Sequence, residues 1–125
     1  MVNPFIDDGW TESGYIAEAP GLHPACRFEY RPMLRSEIYR CAREAEKATD
    51  DYLPVLAKWL AKKLVAWDLC GKDGRPAATT PDVLLRLRPR LLDRLVDVVW
   101  GREPSDPDPD GKAPAKFDQD AAEKN

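Results

Sequence analysis

The sequence has a single histidine, His23, and only three cysteines, none of which belongs to a CxxC pair. Nucleophilic catalysis needs a base placed beside the nucleophile, and His23 lies in a stretch rich in glycine and proline with no serine or cysteine in a recognisable elbow. No glycine-rich loop of the kind that cradles a phosphate is found either. We therefore expect a protein that is not an enzyme, without catalytic residues and without a cofactor.

Long apolar runs are also missing. No stretch approaches the roughly 20 consecutive apolar residues that span a bilayer. The first nine residues carry the acidic pair Asp7 and Asp8 but no apolar segment typical of a signal peptide. An odd number of cysteines in such a chain is typical of reduced thiols in a cytosol. We expect a cytoplasmic protein with no membrane partner.

A zinc site is a more specific interpretation of the cysteines than free reduced thiols. Cys26, Cys41 and Cys70 could form a Cys₃His site with His23, but structural zinc sites usually take ligands in closely spaced pairs on turns. Only His23 and Cys26 are spaced in that way, and Cys41 falls within a helical pattern. The residues favour small buried thiols, so no metal is predicted.

The composition divides the chain into an irregular N-terminal arm (residues 1–24), a helical domain (25–101) and a polar tail (102–125). Phe117 is the only large apolar residue of the tail, so the tail is predicted to be disordered. The pattern Asp-x-Asp-x-Asp-Gly that begins at Asp106 matches the first half of a calcium-binding EF-hand loop. However, Phe117 stands where the bidentate glutamate belongs, and a solvated acidic tail is the simpler interpretation.

The arm contains large apolar side chains without any period, because glycine and proline interrupt it. Aromatic residues on such segments often anchor protein–protein interfaces. For Trp10, packing within its own chain is the alternative. The candidate partner-binding residues are Phe5, Trp10, Tyr15 and Ile16.

The alternation of apolar and charged residues over Cys26–Tyr30 predicts a half-buried strand. A helix is then predicted from a cap at Ser36 to about residue 48. Its apolar face is narrow and made of small side chains, which leaves it open to a partner or to a second copy of the chain. The members of this stripe are Ile38, Cys41, Ala42 and Ala45.

Three further helices follow. The first has Thr49 as cap and an amphipathic period up to Trp67; the run Val65-Ala66-Trp67-Asp68-Leu69 ends it, and an extended piece is one way for the chain to continue there. The second begins at Thr80, with proline at its first position. The third runs from Pro89 to Trp100 and stops at Gly101. The centre of the core is predicted to consist of Trp59, Leu60, Leu64, Leu91 and Leu95.

Four arginines cluster around Pro89 and could bind phosphates. Acidic residues interleave with them, no aromatic platform accompanies them, and the formal net charge is -3. A mixed solvated surface is the simpler interpretation, so we do not expect a nucleic-acid partner. The arginines are Arg86, Arg88, Arg90 and Arg94; the acids are Asp82, Asp93 and Asp97.

Residues 26–106 resemble the small tail assembly chaperones of tailed phages and prophages. The resemblance follows the strand and helix that begin the domain, a helix rich in leucine and tryptophan, and then four motifs. These are Trp67-Asp68-Leu69, the turn Lys72-Asp73-Gly74-Arg75-Pro76, Thr80-Pro81-Asp82-Val83-Leu84-Leu85-Arg86-Leu87 and Leu91-Leu92-Asp93-Arg94-Leu95-Val96.

The resemblance implies a protein in the cytoplasm of a host bacterium that binds the tape-measure protein and recruits tail-tube subunits during tail assembly. The family has no catalytic residues and often makes a longer form by ribosomal frameshifting. The fold expected is mainly α, a small helical bundle with a short N-terminal strand or hairpin. The alternatives are a small nucleic-acid-binding or transcription-regulating protein, and a structural head–tail adaptor that remains in the virion.

Overall fold

The computed structural model describes residues 4–48 and 51–110. These residues form a three-stranded antiparallel sheet and four helices, with 37% helix and 17% strand. The expectation of a mainly α helical bundle is therefore wrong, and the fold is mixed α/β. In chain order the elements are β1 (Glu12–Ile16), β2 (Cys26–Tyr30), α1 (Arg35–Lys47), α2 (Leu53–Lys63), β3 (Leu64–Trp67), α3 (Pro81–Leu84) and α4 (Pro89–Val99).

The sheet has the order β1-β2-β3. The alternation of apolar and charged residues predicts β2 correctly, and the extended piece considered after α2 overlaps β3. β3 continues directly from α2, so the apolar period of that helix concealed a strand. What makes it a strand is its partner, because Trp67 lies opposite Phe28 and Leu64 lies opposite Tyr30.

β1 lies within residues 1–24, so the expectation of an irregular arm is wrong for this part. Gly14 pairs with Phe28 in the register of β1 and β2. A Cβ atom at Gly14 would lie 2.4 Å from Cζ of Phe28, whose ring fills that space. The glycine that suggested irregular structure is therefore the residue that allows the aromatic ring to lie over the strand.

The core lies on one face of the sheet. The residues predicted as its centre are all buried, with exposed fractions of 5%, 0%, 6%, 2% and 0% for Trp59, Leu60, Leu64, Leu91 and Leu95. They belong to one apolar cluster that also includes the inward-facing residues of the three strands. The predicted core is confirmed, although part of it rests on a sheet and not only on helices.

The ends of α1 and α4 agree with the sequence to within one or two residues, whereas α2 and α3 end about four residues earlier than their apolar periods predict; some of the caps also differ. The backbone N–H of Leu34 donates to Oε1 of Glu37 at 2.9 Å, so a glutamate rather than Ser36 caps α1. At α2 the N–H of Leu53 donates to Oδ1 of Asp51 at 2.9 Å, and Thr49 lies outside the described residues. Gly101 follows α4 with a φ of 76°, as a helix-ending glycine does.

The expectation of disorder from residue 102 onward is wrong for residues 103–110, which we call the acidic strap. The N–H of Asp106 donates to the carbonyl of Tyr15 at 2.8 Å, and the side chain of Asp108 is 0% exposed. The composition of the segment shows only that it has few apolar residues. The composition cannot show that arginines elsewhere in the chain neutralise the carboxylates of this segment. Residues 111–125 lie outside the described part of the chain.

Among residues 4–48 and 51–110, no helix has the length and apolar character needed to cross a membrane.

Replacing Trp59 by alanine should lower the free energy of unfolding by about 3–5 kcal/mol, because a large buried side chain is lost and a cavity is left behind. Chemical denaturation followed by circular dichroism measures the change. Leu85→Ala is the control, since Leu85 is 41% exposed and should cost less than about 1 kcal/mol. Equal costs for the two variants would contradict the assignment of Trp59 to the core.

Candidate protein-binding groove

A groove of about 480 Å³ lies between α1, α2 and α4. We call it the helical groove. One side is the stripe of small residues on α1, namely Ile38, Cys41, Ala42 and Ala45. The stripe is expected to remain open to a partner or to a second copy of the chain, and of its four residues only Cys41 is buried.

The rest of the groove comes from α2 and from the end of α4. Leu56 and the half-exposed Tyr52 line it from the α2 side, and Val96 and Trp100 line it from the α4 side. Val96 and Trp100 belong to the main core, so this side of the groove is rigid. Burial raises the pKa of the Cys41 thiol, which keeps that sulfur neutral and consistent with an apolar surface.

The groove stays open because α1 is attached to α2 through charged groups. Nζ of Lys63 lies 2.6 Å from Oε2 of Glu37, and the two side chains are only 13% and 15% exposed. Nζ of Lys58 lies 2.6 Å from Oε2 of Glu44. Residues 37 and 44 are seven positions apart and share one helical face, while the apolar stripe lies along a different face. The ionic attachment therefore leaves the stripe uncovered.

Trp59, on the same helix as Lys58 and Lys63, makes cation–π contacts. The Arg40 guanidinium is 5.8 Å from the centre of the indole ring, and Nζ of Lys62 is 4.8 Å from it. Such contacts contribute roughly 0.5–2 kcal/mol according to their exposure. Of these two contacts only that of Arg40 joins α1 to α2, so ion pairs and one cation–π contact supplement the apolar packing of Cys41 and Ile38 against the core.

The rim of the groove is acidic on its α4 side. It carries Asp93, Asp97 and Arg102. Nη1 of Arg102 lies 3.9 Å from Oδ1 of Asp97, so this pair is close to neutral. Asp93 is exposed and forms no ion pair with any of the described residues. The rim is therefore suited to a ligand that brings one positive charge.

The four residues predicted to bind a partner lie in three different environments. Phe5 is 72% exposed. Trp10 is half-buried and its indole N–H donates to Oε1 of Glu12 at 3.1 Å. Ile16 belongs to the core and is 1% exposed, and Tyr15 is 6% exposed. Of the four, only Phe5 and Trp10 are accessible in this conformation, because Ile16 faces the core and Tyr15 is covered on the opposite face of the sheet.

Tyr15 is buried by charged groups on the face of the sheet away from the core. The Arg27 guanidinium lies 5.1 Å from the centre of its ring. Arg27 in turn donates to Asp108 from Nε at 2.8 Å and from Nη2 at 2.9 Å, and to Asp110 at 2.7 Å. The hydrogen bond with Asp108 raises the pKa of Arg27 above its usual value.

A second arginine holds the beginning of the acidic strap. Arg94 on α4 donates to Glu103 at 2.7 Å and to Asp106 at 3.0 Å. The three aspartates that resembled half of a calcium loop are thus engaged with Arg27 and Arg94. A short sequence pattern could not reveal these partners, because they lie far away in the chain.

The residues considered for zinc are not assembled into a site. His23 is buried and its Nδ1 donates to the carbonyl of Pro24 at 2.9 Å. Cys26 is buried in the core, and burial raises the pKa of its thiol to about 12. Cys70 is exposed. Within the described ranges, no three histidine, cysteine or acidic side chains come together as metal ligands would.

A smaller hollow of about 270 Å³ lies on the sheet around Ser13, Glu29 and Ala66. It is shallow and has no buried titratable group to suggest chemistry. The arginines at positions 86, 88 and 90 are exposed around the start of α4. Among the described residues none of the three forms an ion pair, in contrast to Arg94.

Comparisons of the chain with protein families, with curated proteins and with solved structures find no match. A function for this chain must therefore follow from its own residues.

Replacing Glu37 by glutamine should lower the free energy of unfolding by roughly 1–3 kcal/mol at neutral pH, as expected for a hydrogen bond to a charged group. Burial alone would raise the pKa of Glu37, but the Lys63 ammonium and the Leu34 N–H hold it below its ordinary value of 4.5. The Glu37 carboxylate therefore makes its full contribution to the free energy of unfolding above pH 4.5, and this contribution is lost as the pH falls through the lowered pKa. Denaturation curves measured from pH 7 down to the acid limit test this.

Glu46→Gln on the same helix is the matched control, because Glu46 is exposed. Its effect should be below about 0.5 kcal/mol at every pH. A difference between Glu37→Gln and the wild type that persists unchanged into acid would contradict the ionic attachment of α1.

Proposed function

We propose that this chain is an assembly chaperone or adaptor that binds an apolar helical segment of another protein in the helical groove. The observation that carries this proposal is the open apolar stripe of α1 facing Val96 and Trp100 of α4. The apolar side chains are rimmed by polar ones, an arrangement found at protein–protein interaction sites.

The dimensions suit a helix. Ile38 and Ala45 are seven residues apart, so the stripe extends over about 10 Å at 1.5 Å per residue. That length corresponds to two helical turns, which is the span of ligand anchors at positions i, i+3 or i+4, and i+7 in helix-in-groove recognition. Small residues on α1 let a partner helix approach closely. The acidic Asp93 at the rim would pair with a lysine or arginine beside the apolar face of that helix.

A protein ligand explains the groove better than a substrate does. The groove has no buried acid, base or nucleophile apart from the neutral Cys41 thiol, and its polar groups lie on the rim. The small side chains of the groove bury little area per contact, so the affinity of the chain for its protein ligand should be modest. A chaperone that must release its client needs such a surface, which supports a non-enzymatic role.

The resemblance to phage tail assembly chaperones supplies the candidate partners. A tape-measure protein is long and helical and would present amphipathic helices of the required kind; a tail-tube protein is the second candidate. The alternative is that a second copy of this chain binds in the same groove. The head–tail adaptor alternative differs in predicting that the chain stays in the finished particle.

Nucleic-acid binding has one observation in its favour. Arg86, Arg88 and Arg90 are exposed, and none of them is paired with a carboxylate among the described residues. Against it stand the formal net charge of -3 and the small number of phosphates that three arginines can contact.

Ala42→Glu should weaken binding of a purified tape-measure or tail-tube protein of the same phage at least about tenfold, because it places a charge in the apolar groove. Ala42 lines the groove but is exposed, so the variant should fold normally. Ala78→Glu introduces the same charge at an exposed position in the loop before α3 and should bind like the wild type. Calorimetry and sedimentation measure binding and self-association.

The proposal fails if Ala42→Glu and Ala78→Glu bind the partner equally, or if neither protein binds to the wild type. Loss of a dimer in Ala42→Glu alone, without any binding of a partner, would assign the groove to self-association. Presence of the chain in purified virions would support the head–tail adaptor.

At physiological salt the protein should bind neither DNA nor RNA measurably, since three phosphate contacts release few counterions. Fluorescence anisotropy with labelled duplex DNA and single-stranded RNA tests this. Binding that weakens steeply with salt, and disappears when Arg86, Arg88 and Arg90 are changed to alanine, would favour the nucleic-acid alternative. Arg43→Ala on α1 is the matched control for loss of an exposed arginine.

A further inference from the structure

β1 is the edge strand of the sheet, and part of its outer edge is occupied by the acidic strap. In an antiparallel pair, alternate residues direct their backbone groups away from the partner strand. Tyr15 is such a residue, since its carbonyl accepts the N–H of Asp106 at 2.8 Å. Two residues further on, the N–H of Ala17 donates to Oδ2 of Asp106 at 2.8 Å. The strap thus satisfies one acceptor and one donor of the edge.

Beside this edge, two arginines hold the carboxylates of the strap. Arg27 binds Asp108 with two parallel hydrogen bonds of 2.8 Å and 2.9 Å, the fork geometry that selects carboxylates. Arg94 lies at the other end and binds Asp106 at 3.0 Å. The side chain of Asp108 is completely buried while that of Arg27 is 33% exposed. An edge strand with two flanking arginines is a peptide-binding arrangement, here filled by the same chain.

We propose that the edge of β1, together with Arg27 and Arg94, is a docking site for an extended acidic segment of a partner protein, and that the acidic strap occupies this site in cis. The occupant is assigned from charge complementarity and from the backbone contacts. Carboxylates at alternate positions match the two arginines, and a peptide backbone supplies the N–H that donates to the Tyr15 carbonyl. This site is separate from the helical groove and does not depend on the function proposed for it.

The strap is held in a way that permits exchange. Its carboxylates other than Asp108 are solvent-accessible, with side-chain exposures of 58% for Glu103, 34% for Asp106 and 60% for Asp110. Exposed ion pairs contribute little and are weakened by salt. Pro104, Pro107 and Pro109 favour an extended backbone in the strap, so a partner segment with similar spacing would need no new conformation of the site. A tethered ligand nevertheless has a high effective concentration, so an incoming segment must compete with it.

The test uses the full-length chain and a fluorescein-labelled peptide with the sequence of residues 103–110. A second peptide with asparagine in place of its three aspartates is the control. In the double variant Asp106→Asn and Asp108→Asn the strap is weakened, and the acidic peptide should bind at least about tenfold tighter than to the wild type because the tethered competitor is lost. The asparagine peptide should not bind. Adding Arg27→Gln to the double variant should abolish binding of the acidic peptide.

Equal binding by the wild type and the double variant would overturn the proposal, as would binding that survives Arg27→Gln. Millimolar inorganic phosphate as competitor distinguishes the ligand class, since displacement of the peptide by phosphate at the same affinity would reduce the site to a simple anion site. Circular dichroism melts check folding of the double variant. If the double variant unfolds, Asp110→Asn is used instead, because Asp110 is exposed. This variant should bind the acidic peptide more tightly than the wild type does. If its affinity for the peptide does not increase, the proposal is overturned.

Discussion

The inner face of the sheet is apolar and must be shielded from water, and this requirement determines where most of the helices pack. Ile16, Phe28 and Trp67 come from three strands and face one apolar cluster. A sheet with one hydrophobic face buries it against helices. α4 provides most of that cover, with six buried residues in 11 positions, and α2 provides the remainder. α1 packs chiefly against α2, and this leaves its stripe of small residues in an open groove.

The other face of the sheet is covered differently. Near β1 the cover consists of the acidic strap, held by Arg27 and Arg94. The chain therefore has two candidate interaction surfaces of opposite character. The helical groove depends on apolar contact and should respond little to salt, whereas the strap site depends on ion pairs and should respond strongly. A single chain could in this way hold one partner while exchanging another.

Local patterns in the sequence identified the elements that depend on local interactions. The alternation in β2 and the apolar period of α4 describe which face of each element is buried, and both were assigned correctly. β1 is not apparent from the sequence, and of β3 the sequence indicates only an extended piece after α2, because the strand conformation of both comes from pairing with β2. The strap was missed because composition does not show that Arg27, more than 80 residues away, binds its carboxylates. The groove was partly foreseen through the narrow stripe of α1, but its second side required the fold.

The contact between Gly14 and Phe28 has an evolutionary consequence. A Cβ atom at position 14 would lie 2.4 Å from the ring of Phe28, so a larger residue at position 14 requires the Phe28 ring or the strand to shift unless position 28 becomes smaller. In homologous chains the two positions should covary: a glycine should accompany an aromatic residue, and a bulkier residue at the first position should accompany a smaller one at the second. This paired signature, 14 residues apart, would identify relatives of the fold even where the helices have diverged beyond recognition.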